Sequence, residues 1–269
     1  MEFRIIPHER ADAGWHLALE EALYLKAREN IIKNKPVQPI IRLYSFSKPS
    51  VILGYQQQIP EVDKEFCKNN KIRVTMRSTG GGSVFLGKNE LQYSLILPLN
   101  YSKDLLKRIN TSIINSLQNV GFHPSLYLSG DHPVIRMNEK SFVFDAERRS
   151  PNLLLHHGTV LVENFDFNTV KGALKATEEE VTDMSTGMLW LRELQQVGEQ
   201  QLIKSFEKNL PNGSSIRKKD FTSEEIKLAK KLYKDFYNNE KAMSKGKKKY
   251  GVCYLPSTTY NMEEYTRKT

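Results

Sequence analysis

The chain has 269 residues, 39% hydrophobic and 26% charged, a globular composition that admits one large domain or a main domain with a small companion. No run of about 18 apolar residues occurs, and the N-terminal region has no apolar stretch leading to a small-residue cleavage site; both point away from a membrane partner and toward a cytoplasmic protein. Cys67 and Cys253 lie far apart without CxxC spacing, which argues against a disulfide framework or a zinc site, and the net charge of +9 is concentrated late in the chain.

Those late charges are Arg217, Lys218 and Lys219, followed by Lys241, Lys245, Lys247, Lys248 and Lys249. No aromatic side chains interleave the lysines as a stacking platform would require, so nucleic acid is not the expected partner. A solvated surface and a docking face for an acidic protein both remain open.

In chain order, residues 15–28 carry Leu17, Ala18, Glu21, Ala22 and Leu25 at helical spacings and predict an amphipathic helix covering a sheet. IIRLYSF, the Val51-Ile52-Leu53 run ended by Gly54, and KIRVTMRS read as strands. SVF and LQYSLILPL are two more. Leu105 to Val120 repeats apolar residues at helical spacing and stops at Gly121. LLLHHGTVLVEN predicts a strand pinched at Gly158. From about residue 168 the pattern is helical: FNTVKGALKA, LWLRELQQVGEQQLIKSFEKNL, and TSEEIKLAKKLYKDFY, where Thr222 and Glu225 match a capping box. Pro211 to Ser215 is a loop by composition. The reading is an α+β protein with a mixed, largely antiparallel sheet flanked by helices in residues 1–185 and a small α-rich C-terminal accessory domain in 186–269.

The segment richest in chemistry is Arg77-Ser78-Thr79-Gly80-Gly81-Gly82-Ser83, between two predicted strands. Three consecutive glycines carry a cost in backbone entropy, so the fold needs positive φ or a close approach of backbone to something else there. Such a backbone can offer N–H groups to phosphate or carboxylate oxygens, with Arg77 as a forked donor; a plain hairpin tip is the alternative. GxxxxGK[ST] and GxGxxG are both absent.

With its neighbours, this segment resembles the lipoate–protein ligase branch of the lipoate/biotin protein ligase superfamily. Arg42 to Gln57 is similar to the family's first strand pair, and Glu61-Val62 to the pair after it. Leu91 to Ser94 resembles its L-N-[YF]-S. His156-His157-Gly158-Thr159 resembles its histidine-glycine strand, and Phe221 to Tyr237 its C-terminal helix. The resemblance implies an enzyme that joins lipoate to ATP as lipoyl-AMP, with Mg2+, and transfers the acyl group to a lysine of a lipoyl carrier domain protein.

Adenylation brings an anionic carboxylate to an anionic triphosphate, so fixed positive charge and N–H donors are needed where charge develops. The resemblance assigns this to Arg77, Ser78, Gly80, Gly81, Gly82 and Ser83, with Arg148, His157, Gly158 and Thr159 completing the binding site. Asp131 stands where the family keeps an acid and is the expected Mg2+ ligand, a turn residue being the alternative. Adjacent side chains on a strand face opposite ways, so only one of the histidine pair enters the site; family register gives His157, in direct contact or in a packing role. The family's catalytic lysine falls in register on Ser141, next to Lys140, which with Arg77 makes the expected catalytic pair. Here the glycine-containing turn is replaced by Phe142-Val143-Phe144-Asp145. Two rivals stay open. One is an ATP-independent octanoyl or lipoyl transferase, in which a cysteine would carry the acyl group although neither Cys67 nor Cys253 has a matching context. The other is a non-catalytic binding subunit of a lipoylation system.

Overall fold

Asp12 accepts the backbone N–H groups of Gly14 and Trp15 and so starts α1 (Ala13–Ile32), the element around which the chain is organised. The structure is a computed structural model and describes residues 2–55, 57, 62–98, 104–129, 132–209, 215–239 and 243. Asp131, Glu61, Cys253, the 211–214 part of the predicted loop and the lysines from Lys241 to Lys249 lie outside the described residues.

The anticipated amphipathic helix is buried nearly all round instead. From Ala13 to Leu25 only Trp15 is not fully buried, and the buried set includes His16, Glu20 and Glu21. A six-stranded sheet lies on one side of it and a late helix on another. In spatial order the sheet is β10 (Val143–Ser150), β11 (Leu153–Val160), β6 (Leu91–Pro98), β2 (Ile40–Phe46), β1 (Glu2–Ala11) and β12 (Ser215–Lys218). The first four strands pair antiparallel with one another, whereas β1 is parallel to β2 and to β12. The expected α+β class, a mixed sheet flanked by helices, is what the chain forms.

The opposite sheet face packs on α3 (Asp104–Gln118) and α7 (Glu199–Lys208), where Ile109, Ile113 and Phe206 meet Ile41, Leu43 and Leu95 in one apolar core. The long helix predicted from Leu189 breaks at 195–198 into α6 (Leu191–Leu194) and α7. Before these come α4 (Phe167–Leu174) and α5 (Glu178–Gly187). A second sheet, β4 (Arg73–Met76), β3 (Ser50–Leu53) and β5 (Val84–Leu86), is joined by α2 (Lys64–Asn69). A third is the meander β7 (Ser125–Ser129), β8 (His132–Met137) and β9 (Lys140–Ser141).

The described residues of the stretch assigned to a separate C-terminal unit pack on the main body. β12 adds to β1 as an edge strand, and α8 (Ser223–Leu232), with the expected Thr222–Glu225 capping box, packs on α1. Arg4 of β1 donates to Glu225 at 2.7 Å in a buried ion pair. Among the described residues the chain therefore shows no break at 185/186, because removing β12 and α8 would leave both the sheet edge and α1 uncovered. No helix among them is long and apolar enough to cross a membrane.

Glu90, in the turn before β6, is buried and accepts the backbone N–H groups of Val162 and Glu163, which ties β6 to the end of β11. Burial pushes its carboxyl from the ordinary 4.5 up to about 8, with the backbone donors opposing the shift. A carboxyl whose folded pKa is raised stabilises the fold while protonated, so stability should fall as pH rises from about 4.5 to about 8. Chemical denaturation across that range should show the decline in the wild type and a flatter profile in Glu90→Gln. An equal slope in both would mean that another group is responsible.

Candidate functional site

Strand register lays two rows of side chains across the α1 face of the large sheet. Tyr44, Gln92, Thr159 and Phe144 are successive cross-strand partners, and so are Arg42, Ser94, His157 and Ala146. Above the first row stand Ile52, Val84 and Leu86 of the small sheet and Leu17 of α1, leaving a cleft of about 490 Å3 measured out to open solvent. Its walls are mainly apolar; Arg77, Gln92 and His157 are among its few polar groups. Leu17, Tyr44 and Phe46 are buried, whereas Phe144 and Ala146, on edge strand β10, are half-buried. The cleft is thus closed toward β2 and open toward β10. Such a slot suits an aliphatic chain with one polar end.

His157 connects three segments. Its Nδ1 lies 2.8 Å from Glu20 Oε1 and its Nε2 2.8 Å from Thr79 Oγ1, all three groups being buried. With Glu20 as carboxylate, Nδ1–H donates to it and Nε2 accepts the Thr79 hydroxyl proton. His156 points to the other face, where both ring nitrogens lack partners among the described residues and burial pushes its pKa down to about 3. Gln92 Nε2 donates to Thr159 Oγ1 at 2.8 Å. A Cβ on Gly158 would lie 2.5 Å from both Phe144 O and the Tyr93 hydroxyl, which explains the glycine in a strand otherwise full of leucine.

The glycine segment folds back on β3. Tyr55 N donates to Thr79 O and Arg77 N to Leu53 O, each at 2.9 Å, and Gly81 takes φ +92°. Arg77 lies under the loop, donating to Gly80 O, Gly82 O and Ile52 O, while Gly80, Gly81 and Gly82 are exposed. Burial lowers its pKa to about 10, an effect opposed by Glu20, so it stays charged at neutral pH. Ser78 and Ser83 are half-buried at the two ends of the loop.

The structure does not bring every anticipated residue to the cleft. Arg148 pairs with Glu21 of α1 at 3.0 Å, with its guanidinium 4.4 Å from the Tyr24 ring centroid, and is not part of the cleft lining. Lys140 opens β9 after a tight turn at Asn138 and Glu139, both at positive φ; it is half-buried and lines no part of the cleft, and its side chain forms no hydrogen bond or ion pair among the described residues. Phe144 and Ala146 reach the cleft from the same segment. Cys67 is 1% exposed in a separate apolar cluster with Val51 and Phe85, and burial raises its thiol to about 11. Among the described residues no group of three or more His, Cys, Asp or Glu could hold a metal ion. Sequence reasoning passed over Glu20, Thr79, Tyr44 and Gln92. The available signal was a threonine inside the glycine segment.

Residues 12–210 match the family model described as the lipoyl protein ligase A/B catalytic domain. The chain is similar to octanoyltransferase LipM of Clostridioides difficile, 24% identical over 271 residues, covering 89% of this chain and 97% of the transferase. Its fold is similar to that of a bi-partite lipoate protein ligase from Thermoplasma acidophilum, with TM-score 0.78 and 22% identity over 93% of this chain and 99% of that one. A lipoate-protein ligase A bound with ATP gives TM-score 0.74 and 24% identity, over 91% and 99%.

Gly54 is where the loop meets β3. A Cβ there would stand 1.9 Å from Gly81 O, closer than real atoms approach, so Gly54→Ala must displace the glycine loop. Amide exchange at Tyr55, whose N–H is bonded to Thr79 O, should accelerate in this variant while the large sheet keeps its protection. Unchanged Tyr55 protection would show that the loop has room this geometry denies it.

Proposed function

The chain belongs to the lipoyl protein ligase A/B catalytic-domain family, and from that premise we propose that it is an ATP-dependent ligase joining lipoate, or an octanoate-like acid, to a lysine of a lipoyl carrier domain. The observation that carries this reading is an apolar cleft that has Arg77, the residue beneath the exposed glycine loop, among its few polar groups. A transferase that carries its acyl group on cysteine needs a reactive thiol at the chain; Cys67 is buried elsewhere with its pKa raised, and Cys253 lies outside the described residues.

The reaction has two steps. The carboxylate attacks the α-phosphate of ATP and pyrophosphate leaves; the lysine amine then attacks the carbonyl of the mixed anhydride, a C–N bond forms, and AMP leaves with the electron pair of the C–O bond. The cleft holds the aliphatic chain away from water, and the glycine loop with Arg77 stands where negative charge gathers. Lys140, close in sequence to Phe144 at the open side of the cleft, is the proposed catalytic lysine. Mg2+ would accompany the triphosphate; its candidate ligand Asp131 lies outside the described residues.

Similarity to an octanoyltransferase over 97% of that protein's length favours a second reading, acyl transfer without ATP. Lys140's position off the cleft favours a third, a binding subunit that relies on a partner for chemistry. Intact-mass analysis of an apo lipoyl domain, incubated with the protein and lipoate or octanoate, distinguishes them. The ligase predicts a mass gain that requires Mg-ATP and falls by about two to three orders of magnitude in rate in Lys140→Ala. Gain from an acyl carrier without ATP would replace the ligase with the transferase, and no gain from any donor would leave the binding subunit.

A further inference from the structure

The floor of the cleft carries a carboxamide between aliphatic walls. Gln92 and Thr159 are cross-strand neighbours in the row from Tyr44 to Phe144, and each is 4% exposed. They share one hydrogen bond, Gln92 Nε2 to Thr159 Oγ1 at 2.8 Å. A carboxamide offers two N–H groups and a carbonyl oxygen, and a threonine hydroxyl offers a proton. The second N–H and Oε1 of Gln92 and the hydroxyl proton of Thr159 therefore have no partner among the described residues. Ser94 Oγ, on the same strand, is also unpartnered but sealed, whereas the free oxygen of Gln92 is not sealed and the space beside it is the cleft.

Polar groups in such a place work against a plain alkyl chain. Methylenes laid over them remove the water that serves them and offer no bond in return, which is how a site equipped for hydrogen bonding rejects an analogue unable to form the bond. Their depth fixes where on the chain this matters. The cleft is closed by Leu17, Tyr44 and Phe46 and open toward β10, and Gln92 lies one strand spacing, about 5 Å, from Tyr44. A chain entering past Phe144 thus brings its far end, not its carboxyl end, to Gln92 and Thr159.

From this placement we propose that Gln92 is a specificity-determining residue: with Thr159 it selects a medium-length acyl chain that carries a hydrogen-bonding heteroatom, sulfur or oxygen, near its far end over the saturated chain of the same length. A hydroxyl oxygen both donates and accepts there, and thioether-type sulfur accepts weakly. This selection rests on the cleft being the acyl site of the proposed reaction and holds whether or not ATP activates the acid. A purely structural Gln92, tying β6 to β11, would instead affect every chain alike.

The test uses the full chain with its Gln92→Leu and Thr159→Val variants, both close in size to the residues they replace. Calorimetry measures affinity for octanoate, ω-hydroxyoctanoate and lipoate, as free acids and as methyl esters. The wild type should bind both heteroatom chains more tightly than octanoate. Gln92→Leu should lower each of those preferences by about tenfold or more, through tighter octanoate and weaker hydroxyoctanoate binding, and Thr159→Val should shift them the same way by a smaller factor. An octanoate preference in the wild type would overturn the proposal. So would preferences that Gln92→Leu leaves unmoved, or a uniform loss across all chains in both variants. The esters lack the carboxylate, and ATP-dependent mass gain by a lipoyl domain is followed in parallel. Preferences that persist in acids and esters without such a gain would end the ligase reading and keep the selection; gain without the preferences would do the reverse.

Discussion

Glu20 places a carboxylate where a helix meets a sheet, and the His157 imidazole allows it to stay there. Leaving such a group buried without a partner costs several kcal/mol. Its Oε1 is matched by His157, which passes the constraint on to Thr79 and hence to the glycine loop. The nearby guanidinium groups of Arg42 and Arg77, both buried, interact with the same negative charge. Three segments far apart in sequence are thus held in one arrangement by two hydrogen bonds and a charge balance. The His157 tautomer is fixed by that arrangement, and the polar wall of the cleft with it.

The cleft makes chemical sense as the space left between these constraints. Its floor is a register of side chains across four strands, so the distance from Tyr44 to Phe144 is three strand spacings, about 14 Å. That is the scale of an extended medium-length acyl chain. The small sheet supplies the roof and, at its end, the glycine loop.

Most of the architecture was legible because it was written in local periodicity. α3, β2, β3, β6 and β11 lie where their apolar spacings put them, and the Thr222–Glu225 capping box starts α8 as expected. β1 was not legible: EFRIIPHERA mixes charge and apolar residues because it is an inner strand at one end and half-exposed at the other. α1 was legible as a helix and misleading as an amphipathic one, since nothing local announces that α8 will cover its second side. At the site, the glycine segment and His157 could be read from their residue types. Glu20 could not, because its meaning comes from a histidine far along the chain. What residue type and register could not give is where Arg148 and Lys140 stand relative to the cleft, the one paired with Glu21 of α1 and the other at the start of β9.

The parallel pairing of β12 with β1 sets a timetable for the chain as it is made. Glu2 finds its partner in Ser215, and α1 gains its outer cover only with α8. At ordinary translation rates, roughly 10 to 40 s separate the first strand from the segment that completes its sheet. Through that interval β1 presents an open edge and α1 an uncovered apolar side, both templates for wrong partners. Residues 215–232 therefore decide when β1 gains its edge partner and α1 its outer cover, so this part of the fold waits on long-range contacts.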